Sequence, residues 1–448
     1  MIYMYKGGES VKARFCSVCG KERVNGSSFC GHCGGKFEDE AGVGLSMWFY
    51  MDHDEINGPL PIEDMNALEV NGVIHRDTLV KKDGSEKWVS LAESNLSAQE
   101  ETSATQEVSV NGITDQVKDV FFQATEKVNS MVGERGNINL KLSDVFSAVF
   151  QKHSKEEGEL LFISGTSVTT PEESEISTSW PKPWLFSRVF LILAATYILL
   201  YICTFTFGNL NAVPGLIVIG AFAVPFSLLI FFWETNAPRN ISIFEVVKMF
   251  FVGGVASLVA TLFIFSFFPV YQLNYTGAIT VGVIEEVGKL VIVAFFIKQL
   301  KVKFILNGLL IGAAIGAGFA AFESAGYAFN LGWMYGDEAL KSIIVDRAWL
   351  SVGGHVVWAA ISGAALVYVK GDQPLNRGHF TDPRFIKLFM VPIALHAIWN
   401  SPLYFLHGFY FLYLVLIVVA WIFIFTFINA GLNQISRLND RSIAEREA

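Results

Sequence analysis

The chain has 448 residues, of which 52% are hydrophobic and 17% are charged, and its formal net charge is −9. This acidic balance, without a strongly basic stretch, excludes nucleic acid as a partner. Residues 1–180 are polar, whereas apolar runs from Trp184 onward reach the roughly 20 residues that a bilayer-spanning helix needs. We therefore expect a soluble N-terminal half followed by a membrane domain.

Four cysteines open the soluble half as two Cys-x-x-Cys pairs, Cys16 with Cys19 and Cys30 with Cys33. Four thiolates at this spacing predict a closed, tetrahedral, structural zinc site. Two disulfides are the alternative, which a reducing cytoplasm disfavours. The repeated Phe-Cys-x-x-Cys-Gly pattern resembles the small bacterial zinc ribbons and gives a predicted domain at 14–38.

Residues 46–93 form the next predicted module, which contains adjacent aromatic residues, an Asn-Gly-Pro-Leu turn and a later tryptophan. The pattern resembles the small α/β GYF-like domains, and this resemblance implies contact with a cytoplasmic protein or a proline-rich peptide. The candidate contact residues are Trp48, Tyr50, Pro59 and Trp88. Alternatively, Trp48 and Trp88 only fill the core of a small domain.

Residues 94–180 are rich in Ser, Thr, Glu and Gln, a composition typical of a linker. Within them, apolar residues from Ile113 to Met131 recur at helical spacing and predict one amphipathic helix. Such a helix packs on a partner or lies at the membrane surface, and the pattern leaves both open.

The second half predicts an all-α polytopic membrane domain at 184–430 and a tail at 431–448. We expect about eight transmembrane helices, at 184–207, 212–233, 246–268, 277–297, 304–331, 349–369, 385–405 and 408–430. Glycines in the fifth, among them Gly308, Gly312 and Gly316, suit close packing of helices. Lys and Arg concentrate in alternate loops, which predicts a bacterial inner (cytoplasmic) membrane protein with both termini in the cytoplasm.

Ionisable side chains occur well inside four of these predicted spans. They are Glu285, Glu286 and Lys289 in the fourth, Glu323 in the fifth, His355 in the sixth and His396 in the seventh. Each charge at the bilayer centre costs roughly 3 kcal/mol, so these groups must pair, line a wet cavity or perform chemistry. Counting about 1.5 Å per residue places the three glutamates and the two histidines roughly 9–14 Å from the outer helix ends, in one layer.

The spacing within this layer suggests acid–base chemistry. Glu285 and Lys289 are four residues apart on one helix face and can pair. Two adjacent carboxylates in a low-dielectric environment do not both ionise cheaply, so one is expected to act as a general base for water while the other carries a proton. His396 and Asn400, also four residues apart, suit the stabilisation of an oxyanion.

Glu285-Glu286-x-x-Lys289, Phe319-x-x-x-Glu323, His355 and His396-x-x-x-Asn400 occur in this order on successive spans, and the arrangement resembles the PrsW-type intramembrane proteases. These are relatives of the CAAX-processing and bacteriocin-processing membrane proteases. The resemblance covers 184–430 and implies an endopeptidase that cuts membrane-anchored protein substrates near the outer face. Whether a metal or water alone serves the three Glu and two His remains open at this stage. A proton- or ion-coupled transporter and a non-catalytic membrane scaffold are the alternatives.

Overall fold

The computed structural model describes residues 47–52, 55–61, 65, 68, 74–75, 77–85, 87–91, 94, 122–136, 138, 140–403 and 410–447. The predicted zinc-ribbon residues, 14–38, lie outside these ranges, so the zinc site stays a prediction. The chain divides into two units, Met1–Lys118 and Asp119–Ala448.

The first unit contains a four-stranded antiparallel sheet. Its strands are β1 (Met47–Asp52), β2 (Glu55–Pro61), β3 (Leu79–Lys82) and β4 (Val89–Ser90), in the order β2-β1-β3-β4. Because side chains alternate between the two faces of a strand, Trp48 and Val80 reach a small apolar core. Trp48 is buried there, as the core-filling alternative expects, while Tyr50 and Trp88 are half-buried and Pro59 is exposed.

The second unit is helical. Its helices are α1 (122–131), α2 (Leu142–Val145), α3 (Lys155–Phe162), α4 (Leu185–Tyr201), α5 (Val213–Glu234), α6 (Ile243–Phe265, with a π-helical turn at Met249–Gly253), α7 (Tyr275–Gln299), α8 (Ile305–Tyr335), α9 (Asp337–Leu350), α10 (His355–Lys370), α11 (Arg377–Thr381), α12 (Pro383–Trp399) and α13 (Phe411–Glu447).

Six helical stretches in the described residues are long and apolar enough to cross a membrane. They are Leu185–Thr206, Leu210–Glu234, Ile243–Phe265, Ile305–Tyr335, Asp337–Lys370 and Phe411–Asp440. The other two predicted spans fall on α7, which carries three charged residues in its middle, and on α12, which has 17 residues. Their crossing of the bilayer stays a prediction.

The predicted loop at 332–348 is instead largely helical. Helix α9 follows α8 after Gly336. A 3-10 turn at Ser351–Gly353 then separates α9 from α10, which begins at His355. Acidic residues in the first turn of α9 favour this helix electrostatically. Its Leu340 and Ile344 are buried against α5 and α8, so the segment packs on the membrane helices.

Helix α8 lies at the centre of the unit and packs closely on α10. A Cβ on Gly312 would overlap the carbonyl of Ala359, and a Cβ on Gly316 would overlap the carbonyl of His355. The predicted close packing is therefore present. It brings the backbone of α8 against the first residue of α10, where His355 is located.

Part of the segment that composition identifies as a linker packs on the membrane helices. Val128 and Met131 of α1 contact the main apolar core, and the Glu134 carboxylate accepts hydrogen bonds from Asn433 and Arg437 of α13 at 2.9 Å each. The His153 ring stacks on Trp184, with 3.8 Å between ring centroids. The amphipathic helix therefore packs, at its C-terminal end, on the chain's own membrane unit.

Candidate active site

The predicted ionisable residues of α7, α8, α10 and α12 meet in one continuous network. Glu286 is at its centre: its Oε1 accepts from Lys289 Nζ at 2.6 Å and lies 2.8 Å from His396 Nδ1. Lys289 Nζ also lies 2.9 Å from His355 Nδ1, and His355 Nε2 lies 3.1 Å from Glu323 Oε2. Helices far apart in sequence therefore contribute to a single site.

The partners in this network determine which ring nitrogens carry protons. A lysine ammonium can only donate, so His355 Nδ1 accepts from Lys289, and a neutral His355 carries its proton on Nε2 and donates to Glu323. His396 Nδ1 faces the Glu286 carboxylate and is therefore the donor, which leaves its Nε2 free of this contact. Each histidine has one nitrogen engaged by a carboxylate.

Glu285 is the carboxylate on the cavity side of this network. It lines a cavity of about 850 Å³ together with Glu323, His355, His396 and other residues, whereas Glu286 and Lys289 lie behind the wall. Glu285 Oε2 is buried, forms no hydrogen bond within the described part of the chain, and lies 3.7 Å from His396 Nε2 and 3.9 Å from His355 Nδ1. The Glu285 carboxylate therefore borders the cavity and has one oxygen that no described residue binds.

The expected pair of Glu285 with Lys289 is not the one that forms, because Lys289 binds Glu286 three residues before it. On an α-helix, position 289 lies about 40° from position 285 and about 60° from position 286, so both partners are within reach. Lys289 is only 1% exposed and Glu286 is 0% exposed, so the ion pair forms behind the cavity wall.

Aromatic rings hold the charged groups in place. Trp358 of α10 stacks on His396, with 4.5 Å between ring centroids, and Phe319 lies 5.0 Å from the ring of His355. Lys289 Nζ is 4.6 Å from the centroid of Phe319, a cation–π contact. Phe319 therefore contacts both the cation and an imidazole of the charged network.

Glu285, His355 and His396 also have the donors that a metal site requires. One ligand atom from each lies within 4.8 Å of the other two. A metal-binding histidine commonly donates its second N–H to a carboxylate, and Glu323 and Glu286 are placed to accept from His355 and His396 in this way. The set therefore fits a divalent cation, provided that Lys289 releases His355 Nδ1.

Asn400 and Arg347 complete the wall of the cavity. Asn400 follows the last residue of α12, and within the described residues its side chain forms no hydrogen bond, so it is free to meet a substrate. Arg347 of α9 forms an ion pair with Glu323, a contact that sequence reasoning missed because it placed Arg347 in an outer loop. The segment holds two basic residues, Lys341 and Arg347, among three acidic ones, so composition alone did not single out Arg347.

A multi-pass helical protein with carboxylates and imidazoles around an open cavity within its membrane domain has the parts of an intramembrane hydrolase. The family model for PrsW family intramembrane metalloproteases matches residues 198–427, and the chain belongs to that family. It is therefore a peptidase of the membrane.

The chain is also similar to Protease PrsW of Clostridioides difficile (strain 630), with 25% identity over 181 residues, which are 38% of this chain and 72% of that protein. A second family model, GYF domain 2, matches residues 48–94, which confirms the GYF-like module. No solved structure matches the chain.

Proposed function

We propose that the protein is an endopeptidase that cleaves membrane-anchored protein substrates near the outer face of the bacterial inner membrane. The observation that carries the proposal is the Glu285 carboxylate on the cavity wall, whose buried Oε2 forms no hydrogen bond within the described residues and lies next to His396 and His355. A carboxylate in this position suits general-base activation of a water molecule.

The proposed reaction is the hydrolysis of one peptide bond. Glu285 takes a proton from water as the water oxygen attacks the scissile carbonyl carbon. Asn400 and His396, in its protonated form, donate hydrogen bonds to the oxyanion that develops. The C–N bond then breaks as Glu285 returns its proton to the leaving amine, which yields one carboxylic acid and one amine.

Glu286 and Lys289 serve this reaction from behind the wall. Glu286 orients His396 through Nδ1, and Lys289 links Glu286 to His355. Groups that hold a catalytic ring by a second hydrogen bond are typically worth 10- to 100-fold in activity or metal affinity. We therefore assign the base to Glu285 and a positioning role to Glu286.

A divalent cation held by Glu285, His355 and His396 would supply Lewis-acid activation of water and of the scissile carbonyl. The family's description as metalloproteases and the donor spacing support this possibility. Metal analysis of a Cys16→Ser, Cys19→Ser variant tests it, because that variant removes two predicted zinc ligands in the ribbon and leaves the membrane site intact.

The proposed orientation follows from the charges at the two ends of α7. The cavity is lined by Val270, Tyr271 and other residues of the loop that precedes α7, whereas Lys298, Lys301 and Lys303 lie at the opposite end of the helix. Basic loops favour the cytoplasmic side, so the cavity would open towards the outer side and both termini would be cytoplasmic.

The soluble module is proposed to recruit a cytoplasmic protein through a proline-rich segment, as its GYF family suggests. Trp48 is core, so Tyr50, Pro59 and Trp88 are the remaining candidates for contact. Binding of the full-length protein to a proline-rich peptide array, with Trp88→Ala as the variant, tests this part.

The decisive experiment reconstitutes the full chain in liposomes with a library of single-span protein substrates. We expect wild-type protein to cleave and Glu285→Gln to lose roughly 10²- to 10⁴-fold in rate, because the general base is gone. Glu338→Gln, an exposed glutamate on α9, is the matched control and should cleave like wild type. Unchanged cleavage by Glu285→Gln would refute the assignment, and proton-driven solute uptake without cleavage would favour a transporter.

A further inference from the structure

Arg347 has three partners, all within two turns of α8. Its guanidinium forms an ion pair with Glu323 Oε2, its Nε donates to Ser324 Oγ at 2.9 Å, and its Cζ lies 4.4 Å from the centroid of the Tyr327 ring. Among the described residues that line the cavity, it is the only lysine or arginine.

The turn between α8 and α9 produces this contact. Gly336 adopts φ +82°, a backbone conformation that residues with a Cβ rarely adopt, and the chain reverses its direction there. Arg347 lies roughly 16 Å of helix after Gly336, and Ser324 and Glu323 lie roughly 18–20 Å of helix before it, so the two sides are of similar length. The antiparallel register therefore places Arg347 beside the carboxylate.

Glu323 in turn orients the imidazole ring of His355. Its Oε2 receives both the guanidinium of Arg347 and the Nε2–H of His355. The guanidinium contacts Glu323 with one nitrogen and Ser324 with another, so its planar fork is held by two adjacent residues of α8 and approaches the carboxylate from a fixed direction. Arg347 therefore contacts Glu323, Glu323 contacts His355, and His355 lines the cavity.

We propose that Arg347 is a positioning residue of the active site, which holds Glu323 as the acceptor for His355 Nε2–H and so keeps His355 Nδ1 directed at Lys289 and Glu285. Its importance for cleavage depends on the proposed function, but its effect on His355 does not. Because the second nitrogen of His355 is engaged in the same way with or without a bound cation, the role applies to both forms of the chemistry.

The ring of His355 can be observed directly by ¹⁵N NMR of histidine-labelled protein in detergent, with its signals assigned by their loss in His355→Gln. We expect wild type to show a protonated Nε2 and an unprotonated Nδ1. Arg347→Gln should replace this single state with a second tautomer or with broadened signals. Lys341→Gln, on the same helix but paired with the exposed Glu338, is the matched control and should leave the spectrum unchanged.

Kinetics separate positioning from binding of substrate. We expect Arg347→Gln to lower kcat by roughly 10- to 100-fold with little change in KM, and Arg347→Lys to recover part of the loss because it keeps the charge. The double variant with Glu323→Gln should be no slower than Glu323→Gln alone, because both substitutions break the same contact. Additive losses confined to KM would instead show that Arg347 binds substrate, and would overturn the proposal.

The two readouts also separate this inference from the proposed function. An altered His355 spectrum in Arg347→Gln, with no cleavage by any form of the protein, would refute the protease assignment and support the positioning role. Cleavage by wild type together with an unchanged His355 spectrum in Arg347→Gln would refute the positioning role alone. Arg347→Lys provides the same comparison if Arg347→Gln does not fold.

Discussion

The N-terminal end and the C-terminal half of helix α8 each hold a polar cluster, and the two clusters differ in kind. Near the N-terminal end, Asn307 Nδ2 donates to Asn236 Oδ1 at 2.8 Å and to Asn240 Oδ1 at 2.7 Å, and Asn307 Oδ1 accepts from Asn240 Nδ2 at 3.1 Å. In the C-terminal half, Glu323 joins the charged network of His355 and Arg347 beside the cavity. One cluster is neutral and closed, and the other is charged and open to the cavity.

This difference distinguishes polar residues that join helices inside a membrane domain from polar residues that serve a reaction. Neutral amides that satisfy one another cost little and join helices. Charged groups remain costly even when paired, because the desolvation penalty is only repaid by excellent geometry. A charged cluster on a cavity wall therefore needs a function to explain it, whereas an enclosed cluster of neutral asparagines does not.

The largest expected effect comes from removing the cation at the charged end. Lys289→Met leaves the fully buried Glu286 without its counter-charge, and we expect a loss of about 3–5 kcal/mol in the free energy of unfolding. Thermal unfolding in detergent measures it. The double variant Lys289→Met, Glu286→Gln should recover stability but not cleavage. A single Lys289→Met variant as stable as wild type would show that the pair is not buried as described.

An intermediate effect is expected at the neutral end. Asn307→Leu removes an amide that is 0% exposed and leaves its asparagine partners without these hydrogen bonds, so the free energy of unfolding should fall by about 1–3 kcal/mol. The cleavage rate per folded molecule should stay at the wild-type value. A loss of rate comparable to that of Glu285→Gln would remove the distinction between the two clusters.

Sequence reasoning found most of the charged cluster because bilayer-depth charges are rare and easy to recognise. The intervals within one helix and the counted depths placed Glu285, Glu323, His355 and His396 in one layer, and the structure brings them together. The predicted pair of Glu285 with Lys289 was wrong. Lys289 pairs with Glu286 instead, in a position where it also contacts His355 on another helix. Single-helix spacing contains no information about that third partner.

Other features depend on tertiary contacts in the same way. The contact of Arg347 with Glu323 depends on how α9 folds back on α8, which a hydropathy pattern reports only as a loop. The segment near Glu134 looked like a linker because its composition is polar, yet a few apolar residues such as Val128 and Val132 are sufficient to attach it to the helices. The asparagine cluster gave no signal because neutral amides are common near helix ends.

The smallest expected effect concerns how the neutral end of α8 is capped. The first amides of a helix have no partner within it, and here Gln434 of α13 accepts the hydrogen bond from the Ile305 N–H at 2.9 Å while donating to the Lys303 carbonyl at 3.0 Å. Gln434→Ala removes this cap and should cost about 1 kcal/mol, measured by thermal unfolding.

Gln434→Glu is the matched variant, because it keeps an acceptor for the Ile305 N–H but loses the donor to Lys303. It should retain most of the stability if the cap itself matters, since a carboxylate near a helix N-terminus is favourable. Cleavage should be unaffected by both substitutions, because this end of α8 is separated from Glu323 by about 27 Å of helix. A change in cleavage without a change in stability would mean that the neutral end communicates with the site, and the two clusters would then form one functional system.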